Sequence, residues 1–276
     1  MLAPLTRLVG RASEMRAVGE MLSRARLVTL TGPAGVGKSR TAVELGRGQG
    51  RRRVDGVWLV DLTSVGQAED VAAETARVLG IRGAAREATT AVVRRYLADR
   101  DVLLLLDNCE HVVEACAELG MTLLGGCPNV RVLATSREPL GLAGEVVWRL
   151  EPLLPEHAYR LFLERARERS PGLVPDEDTE TAIFDICARV DQLPLGVELA
   201  AARVGIMSPN EIATSLDAHL TSIHRSGWRV GRAVTRRCPC DATGLGCLKV
   251  QSVASRRASR RCKHRIRFPL FSTTRT

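Results

Sequence analysis

The apolar residues of the first 150 positions fall into two alternating patterns. Five short runs are apolar at most positions, which is typical of strands buried inside a sheet. They lie at residues 27–31, 57–62, 102–107, 130–137 and 145–150. Between most of these runs, apolar residues recur every three or four positions, as on one face of a helix. Because strands that alternate with helices form parallel sheets covered on both faces, residues 1–150 are predicted to be an α/β domain with five parallel strands.

The helices of this domain are predicted from the same periodicity and from residues that begin or end helices. Ser13 is a candidate N-cap of the first helix, and the glycine-rich segment 46–50 predicts that the helix after the first strand ends near residue 45. The predicted helices span residues 13–25, 40–45, 67–79, 90–98 and 111–124.

From residue 151 to about residue 220 the pattern is helical only. Pro194 begins an Ala- and Leu-rich helix that is predicted to reach residue 206. Ser208, Pro209 and Glu211 have the spacing of a capping box with proline at the first helical position, which predicts a further helix. Residues 151–220 are therefore predicted to form a small all-helical domain.

The basic residues are concentrated near the C-terminal end of the chain. The whole chain has 40 Lys and Arg against 31 Asp and Glu, a net charge of +9. Residues 219–276 contain 14 of these basic residues and one acidic residue, Asp241, so residues 1–218 carry a net charge of −4. Basic composition would indicate a nucleic-acid-binding protein, but here it belongs to the tail and not to the predicted domains.

Residues 221–276 lack apolar periodicity, and three interpretations of them stay open. A zinc site would use C-x-C and C-x-H spacings that differ from the usual ones. Its candidate ligands are Cys238, Cys240, Cys247, Cys262 and His264. A basic arm for DNA or RNA would gain affinity by neutralising phosphates, but it has few aromatic residues for stacking. The favoured interpretation is a disordered tail, such as a frameshift in a GC-rich gene would produce.

The compartment is predicted from apolar runs and cysteine usage. No apolar run reaches the roughly 18 residues of a membrane span, and the first residues lack the pattern of a signal peptide. Four cysteines lie in apolar segments, where free cysteine behaves as a small core residue. They are Cys109, Cys116, Cys127 and Cys187. We therefore expect a cytoplasmic protein without a membrane partner.

A glycine-rich motif, G-x-x-x-x-G-K-S, follows the first strand and opens the next helix. Gly32, Gly35 and Gly37 allow tight backbone bends that direct N–H groups at phosphate oxygens. Lys38 supplies a positive charge for the terminal phosphates, and the Ser39 hydroxyl is a ligand type for Mg²⁺. The helix N-terminus adds partial positive charge at the same place. The motif predicts a nucleotide site.

Two further strands end in polar residues at the predicted binding edge. Asp107 ends strand 102–107, where ligands bind in open α/β sheets. This is the Walker B arrangement, in which a carboxylate holds Mg²⁺ directly or through water. Strand 130–137 brings Ser136 and Arg137 to the same edge, where Arg137 is either a contact to the γ-phosphate or an ordinary surface arginine.

Five separated motifs together resemble the STAND class of signalling P-loop NTPases, and most closely the NB-ARC-type modules of large bacterial transcriptional regulators. The resemblance covers about residues 7–220. It implies an α/β P-loop domain, a helical domain, bound ATP or ADP with Mg²⁺, and a strand order that places Arg137's strand between the other two site strands. The motifs are residues 8–11 (Leu-Val-Gly-Arg), 32–39, 103–111 (ending Leu-Asp-Asn-Cys-Glu-His), 134–140 and 192–203.

By this resemblance, Val9 and Arg11 would lie near adenine, Arg137 would be the sensor contact to γ-phosphate, and Pro194 would pack on the base. The implied metal ligands are Ser39 and Asp107, and the implied catalytic residues are Asp107 and Arg137. The implied nucleotide-binding residues are Val9, Arg11, Gly32, Gly35, Val36, Gly37, Lys38, Ser39, Arg40 and Pro194. Each has an ordinary alternative, since Val9 can be a core residue and Pro194 can simply begin a helix.

Two departures from the family pattern shape the expected function. Asn108 stands where many hydrolysing P-loop enzymes carry a second acid, with Glu110 as a candidate substitute, so slow or negligible ATP hydrolysis is expected. The pattern also stops near Leu220, where family members continue into a winged helix and partner-sensing repeats. The favoured function is an ATP/ADP-binding signalling switch that self-associates or binds a regulatory protein. Alternatives are a DNA- or RNA-binding regulator that uses the tail, a true ATPase, and a non-functional fragment.

Overall fold

The computed structural model describes residues 6–50, 53–67, 70–81 and 89–216, all of which belong to one compact unit. The interpretations of residues 221–276 lie outside the described residues. Apolar runs form the strands of one sheet, as the sequence predicts, each ending within two residues of its predicted end. The strands are β1 (Leu27–Thr31), β2 (Val57–Asp61), β3 (Leu103–Asp107), β4 (Arg131–Thr135) and β5 (Glu145–Arg149).

The helices carry their apolar residues on the faces that pack. In the sheet part they are α1 (Ala12–Arg24), α2 (Lys38–Gln49), α3 (Asp70–Val78), α4 (Thr89–Leu97) and α5 (Val113–Gly126), with a 3₁₀ turn at Cys109–His111. After the last strand come α6 (Pro155–Arg169), α7 (Glu177–Arg189), α8 (Pro194–Ala201) and α9 (209–216).

All strands are parallel, in the order β2-β3-β4-β1-β5. The register pairs Thr29 of β1 with Ala134 of β4, and Leu106 of β3 also with Ala134. The prediction of a five-stranded parallel sheet is thus confirmed. The strand that carries Arg137 into the next loop lies between β1 and β3, so the carboxyl ends of β1, β4 and β3 meet at one edge.

The core explains why β3 is apolar at nearly every position. Residues from Leu103 to Leu106 are essentially inaccessible to solvent because helices cover both faces of the sheet. Leu104 and Leu106 pack in a cluster with α3, α4 and α5, whereas Leu103 and Leu105 pack in a cluster with α1 and α2. Each such leucine contributes about 1.5–3 kcal/mol of burial free energy.

The helices after the last strand share a separate core. Phe162 of α6, Ile183 of α7 and Val197 of α8 are inaccessible in it, and Val9 from the N-terminal segment joins them. The capping box before α9 is confirmed. The Ser208 N–H donates to Glu211 Oε2 at 2.7 Å, and the Glu211 N–H donates to Ser208 Oγ at 3.3 Å.

Several predicted helix ends are wrong. Helix α1 begins one residue before Ser13, so Ser13 is not its N-cap. Helix α8 ends at Ala201 and not near residue 206, because the chain turns there. Helix α2 continues past Gly46 to Gln49, because Gly46 packs on β3: a Cβ at this position would lie 2.7 Å from Leu105 Cδ1.

Candidate nucleotide-binding site

The loop between β1 and α2 has the backbone that its glycines predict. Gly32, Gly35 and Gly37 all have positive φ angles, of 144°, 79° and 96°. Residues with a Cβ rarely adopt these conformations. At Gly32 there is also no room, since a Cβ there would lie 2.6 Å from the Leu150 carbonyl oxygen. The sequence therefore specifies a tight loop that ends at the N-terminus of α2.

Lys38 folds back over this loop. Its Nζ donates to the carbonyl oxygens of Gly32 and Pro33, at 2.9 and 3.1 Å. The side chain is largely buried, and burial lowers the pKa of Lys38 below its usual value. The negative charge of Glu110, and to a smaller extent that of Asp107, acts to raise the pKa of Lys38. The positive charge of Arg137 acts to lower it further. Lys38 is therefore a buried cation with charges from β3 and β4 near it.

Asp107 is held in place by the neighbouring strand. The Thr135 hydroxyl at the end of β4 donates to Asp107 Oδ1 at 2.5 Å and accepts the Asn108 N–H at 3.0 Å. Asn108 itself has a φ of 63°, a left-handed conformation that asparagine tolerates better than most residues. Its side-chain amide donates to Thr63 Oγ1 at 2.6 Å. Thr135 thus fixes the carboxylate that the sequence predicts as a metal ligand.

Arg137 lies in the loop after β4 and pairs with Glu110. Arg137 Nε donates to Glu110 Oε1 at 3.2 Å. Glu110 belongs to the 3₁₀ turn that follows Asp107, so the ion pair joins the loops after β3 and β4. The structure thus brings Lys38, Asp107, Glu110 and Arg137 to one edge of the sheet. Ser39, in the first turn of α2, is half-buried beside Lys38.

A narrow cleft of about 30 Å³, partly open to solvent, lies between the loop, the N-terminal segment, α6 and α8. Six of the ten predicted nucleotide-binding residues line it: Val9, Arg11, Val36, Gly37, Arg40 and Pro194. The other lining residues are Arg7, Leu8, Thr41, Leu153, Leu161 and Glu198. Its lining combines apolar and charged side chains.

Arg11 donates a hydrogen bond to the backbone of the glycine-rich loop. Although it lines the cleft, its guanidinium is buried and already bonded, because Nη2 donates to the Val36 carbonyl oxygen at 3.1 Å and Nη1 to Glu14 Oε1 at 2.8 Å. These bonds position the loop backbone. Its predicted role near adenine stays a prediction.

Arg40 joins three parts of the chain. Its Nη2 donates to the carbonyl oxygens of Thr6 and Arg7, at 2.7 and 2.8 Å, and its Nη1 donates to Glu198 Oε1 at 3.2 Å. Arg165 Nε donates to the same Glu198 oxygen at 3.1 Å. The N-terminal segment, α2, α6 and α8 therefore meet around one carboxylate.

Helix α8 contacts the loop directly through its first turn. The Leu195 N–H donates to the Gly35 carbonyl oxygen at 3.2 Å. Pro194 is close enough that a Cβ on Gly37 would lie 3.9 Å from its Cγ. Pro194 therefore both begins α8 and lines the cleft.

The residues present fit a phosphate with Mg²⁺. The positive φ angles of the three glycines give a tight backbone turn at the N-terminus of α2, which suits an anion, and the Ser39 hydroxyl and the Asp107 carboxylate are the hard oxygen ligands that Mg²⁺ uses. Within the described part of the chain, no group of three or more His, Cys, Asp or Glu is placed to hold a metal ion. Mg²⁺ binding here would thus need phosphate oxygens as additional ligands.

Sequence reasoning did not single out Thr135, Glu198 or Leu195. Thr135 directly precedes Ser136 at the end of β4, and its place at that edge was a usable signal. Glu198 and Leu195 act through contacts between segments that are more than 150 residues apart in sequence, and no local pattern predicts such contacts.

This sheet order, with a glycine-rich loop between β1 and α2 and an acid at the end of β3, defines the P-loop NTPase fold. The sequence profile of the AAA domain family matches residues 20–135. The chain therefore has the P-loop NTPase fold. No helix among the described residues is long and apolar enough to cross a membrane.

Several longer proteins are similar to this chain. A Mycobacterium tuberculosis protein that carries the name of an HTH-type transcriptional regulator is 43% identical over 198 residues, which are 71% of this chain and 22% of the relative. The regulatory protein AfsR of Streptomyces griseus is 30% identical over 209 residues, covering 71% of this chain and 20% of AfsR. This chain thus spans about a fifth of the length of these two relatives.

A solved structure with the same fold is a STAND protein with a tetratricopeptide repeat sensor from Pyrococcus horikoshii. Its TM-score is 0.53 at 16% identity, over 80% of this chain and 33% of that chain. At this identity the similarity shows the fold alone.

Proposed function

We propose that this chain is an ATP/ADP-binding switch module of the NB-ARC type, within the STAND class of signalling NTPases. The observation that carries the proposal is the cleft between the glycine-rich loop and α8, with Leu195 bonded to Gly35 at its edge. A nucleotide that widened this cleft would contact both the sheet part and the helices that follow it. Its binding would therefore depend on how these two parts are arranged.

The loop, the adjacent edge of the sheet and the cleft each offer chemistry for one part of a nucleotide. The backbone N–H groups of the loop and the Lys38 ammonium would bind the phosphates. Ser39 and Asp107 would hold Mg²⁺ against them. Val9 and Pro194 present apolar surface that suits a purine base, and Arg40 and Glu198 are the charged groups nearby. The resemblance to the family supports a preference for adenine over other bases.

Slow hydrolysis is proposed because of Asn108. An amide cannot take a proton from attacking water, and this amide already donates to Thr63 Oγ1. Glu110 is the nearby acid in the same turn, but its carboxylate pairs with Arg137. A site that binds nucleotide and turns it over slowly suits a switch, since the bound state then persists.

A switch requires that the ligand bind two arrangements of the protein with different affinity. The candidate arrangements differ in whether α8 contacts the loop and α2. One backbone hydrogen bond joins α8 to the loop, and the Arg40–Glu198 pair joins α8 to α2. The γ-phosphate, reached by Arg137, is the part of ATP that would distinguish it from ADP.

The relatives support a role in transcriptional regulation, since one carries the name of a transcriptional regulator and another is named a regulatory protein. Because this chain spans about a fifth of their length, the signal, the DNA contact and the protein partner are proposed to belong to segments other than the described residues. Self-association or binding to a regulatory protein is the proposed output of the switch.

The test is calorimetric titration of the full chain with ADP and with ATP in Mg²⁺, using wild type, Lys38→Ala and Arg47→Ala. Lys38→Ala should weaken binding by about tenfold or more, since it removes a charge-assisted phosphate contact. Arg47→Ala removes one positive charge from the exposed face of the same helix and should leave binding within about twofold of wild type. Equal heats for wild type and Lys38→Ala would refute the proposal.

A further inference from the structure

The Glu110–Arg137 ion pair is asymmetric in its exposure. The side chain of Arg137 is 65% exposed, whereas that of Glu110 is 21% exposed. One hydrogen bond, from Arg137 Nε to Glu110 Oε1 at 3.2 Å, joins them. The arginine can therefore leave the pair by turning toward solvent, while the carboxylate stays in the 3₁₀ turn after β3.

The second carboxylate oxygen of Glu110 lacks a hydrogen-bond donor among the described residues. This oxygen, Oε2, is buried. A buried carboxylate oxygen without a donor is unfavourable, and a cation near the carboxylate reduces the cost. The Arg137 guanidinium therefore offsets part of the cost of burying the Glu110 carboxylate.

The pair lies beside the position proposed for the terminal phosphate. Glu110 and Arg137 both act on the Lys38 ammonium, with opposite effects on its pKa. Lys38 in turn lies over the loop that would cradle the phosphates, bonded to Gly32 and Pro33. An anion arriving beside Lys38 would thus lie within electrostatic reach of both members of the pair.

We propose that Glu110 competes with the γ-phosphate of ATP for Arg137, and that this competition sets the preference between ATP and ADP. The inference rests on the proposed nucleotide-binding function and adds a specificity-determining residue to it. ADP has no γ-phosphate, so it binds with the pair intact. ATP gains Arg137 as a ligand only when the bond to Glu110 breaks.

This arrangement biases the resting chain toward ADP. When Arg137 turns to the phosphate, Glu110 is left as a mostly buried carboxylate that has lost its cation. This cost opposes ATP binding and does not arise when ADP binds. Neutralising Glu110 should therefore favour ATP selectively, and only while Arg137 is present.

The test is a double-mutant cycle on the full chain, with Kd measured by calorimetry for ADP and for a non-hydrolysable ATP analogue in Mg²⁺. The variants are Glu110→Gln, Arg137→Ala and the double variant. Glu110→Gln should raise the ratio of ATP-analogue affinity to ADP affinity by about fivefold, the upper range for a half-exposed ion pair. In the Arg137→Ala background the same change should leave the ratio within about 1.5-fold, since there is nothing left to compete for.

The matched control is Glu138→Gln, which removes an exposed negative charge directly after Arg137. A general electrostatic effect on phosphates would act on ADP and ATP together, so this variant should shift both affinities in the same direction and keep their ratio. Glu110→Asp is the second test variant. Its carboxylate is one methylene shorter and would lie too far from Arg137 Nε, so it should behave like Glu110→Gln while keeping the charge.

The outcomes distinguish failure of the proposed nucleotide binding from failure of the proposed competition for Arg137. If wild type binds neither nucleotide, the proposed function fails and this inference fails with it. If wild type binds both but Glu110→Gln and Glu110→Asp leave the ratio unchanged, only the competition is refuted. A fivefold change that persists in the Arg137→Ala background refutes it as well, because the effect would then come from charge alone.

Discussion

The backbone amide of Leu195, in the first turn of α8, donates a hydrogen bond to the carbonyl oxygen of Gly35 at 3.2 Å. The first N–H groups of a helix have no partner within the helix, so the loop carbonyl satisfies one of them. The bond links the helices after β5 to the loop proposed to bind phosphate. Because both partners are backbone atoms, a change in loop conformation must move or break this contact.

The first prediction tests the fit between this loop and α8. Gly35 has a φ of +79°, and a Cβ there would lie 3.0 Å from Leu195 Cβ. Gly35→Ala should therefore reduce the free energy of unfolding by about 1–2 kcal/mol and weaken ADP binding, since the loop must strain or move away from the helix. Urea unfolding and calorimetric titration measure the two effects.

Gly48→Ala is the matched control for this glycine. It lies in α2, and a Cβ there would meet nothing within 4 Å. This control should raise the free energy of unfolding by about 0.5–1 kcal/mol through helix propensity and leave ADP binding unchanged. Equal stability of the two variants would contradict the assigned role of Gly35.

The second prediction concerns the bond that fixes Asp107. Thr135→Val keeps the shape of the side chain but removes the hydroxyl that donates to Asp107 and accepts from Asn108. We expect a loss of about 1–3 kcal/mol in unfolding free energy, because a buried carboxylate and a backbone amide each lose a partner. The gain in ATP affinity on adding Mg²⁺ should also shrink, since the metal ligand is no longer held.

The comparison for Thr135 is Thr29→Val on the adjacent strand β1. Thr29 is equally buried, but its Oγ1 has no hydrogen-bond partner among the described residues. Valine there should be neutral or stabilising, and it should leave the Mg²⁺ dependence unchanged. If both valine variants lose the same stability, burial of a hydroxyl and not the bond to Asp107 explains the result.

The sheet could be predicted because its signals are local. Each strand is an apolar run with polar residues at its end, and the glycine-rich loop fixes where β1 passes into α2. The strand order followed from the resemblance, and the structure confirms it. Lys38, Asp107 and Arg137 could be placed at one edge because the carboxyl ends of parallel strands lie on the same side of a sheet.

The remaining features depend on contacts that no short pattern contains. Gly46 resembles a helix end in sequence, but it stays helical because only glycine fits against Leu105 of β3. Arg11 is a buried brace between Glu14 and the Val36 carbonyl, a role set by the path of the chain before α1. The partner of Arg137 was likewise not predictable, since the turn that presents Glu110 had no sequence signal of its own.

The third prediction concerns the carboxylate shared by two arginines. Glu198 Oε1 accepts from Arg40 Nη1 and Arg165 Nε, and each arginine has a further buried nitrogen without a partner in the described part of the chain. Glu198→Gln removes the carboxylate charge that the two guanidinium groups share, and Arg165 keeps its ion pair with Glu168. We expect unfolding free energy to fall by about 1–2 kcal/mol, which is below the full cost for a buried pair because the site is partly open to water.

The control for Glu198 is Glu44→Gln, which removes the partner of Arg47 on the surface of α2. Exposed pairs of this kind contribute between about 0 and 1 kcal/mol, so the control should differ little from wild type in urea unfolding. An effect of Glu44→Gln as large as that of Glu198→Gln would show that the shared carboxylate has no special role.

The fourth prediction is a pH dependence that arises at Glu14, the carboxylate to which Arg11 donates a hydrogen bond. Burial acts to raise the pKa of Glu14, but hydrogen bonds from Arg11 and Ser13 outweigh it and hold the pKa below the usual 4.5. A carboxyl group whose pKa is lower in the folded state stabilises the fold above its unfolded pKa, and this contribution disappears as the pH falls through the folded pKa. Wild type should therefore exceed Glu14→Gln in stability by about 1 kcal/mol at pH 7.

The same linkage predicts how this difference changes with acidity. It should narrow as the pH falls below about 5 and vanish below the folded pKa of Glu14, which urea midpoints at pH 7, 5, 4 and 3 would measure. Glu20→Gln, an exposed position on the same helix, should differ little from wild type throughout. A constant difference between wild type and Glu14→Gln down to pH 3 would mean that the Arg11 bond does not depend on the carboxylate charge. Because Arg11 also holds the Val36 carbonyl, ADP affinity should weaken over the same pH range in wild type and less in Glu14→Gln.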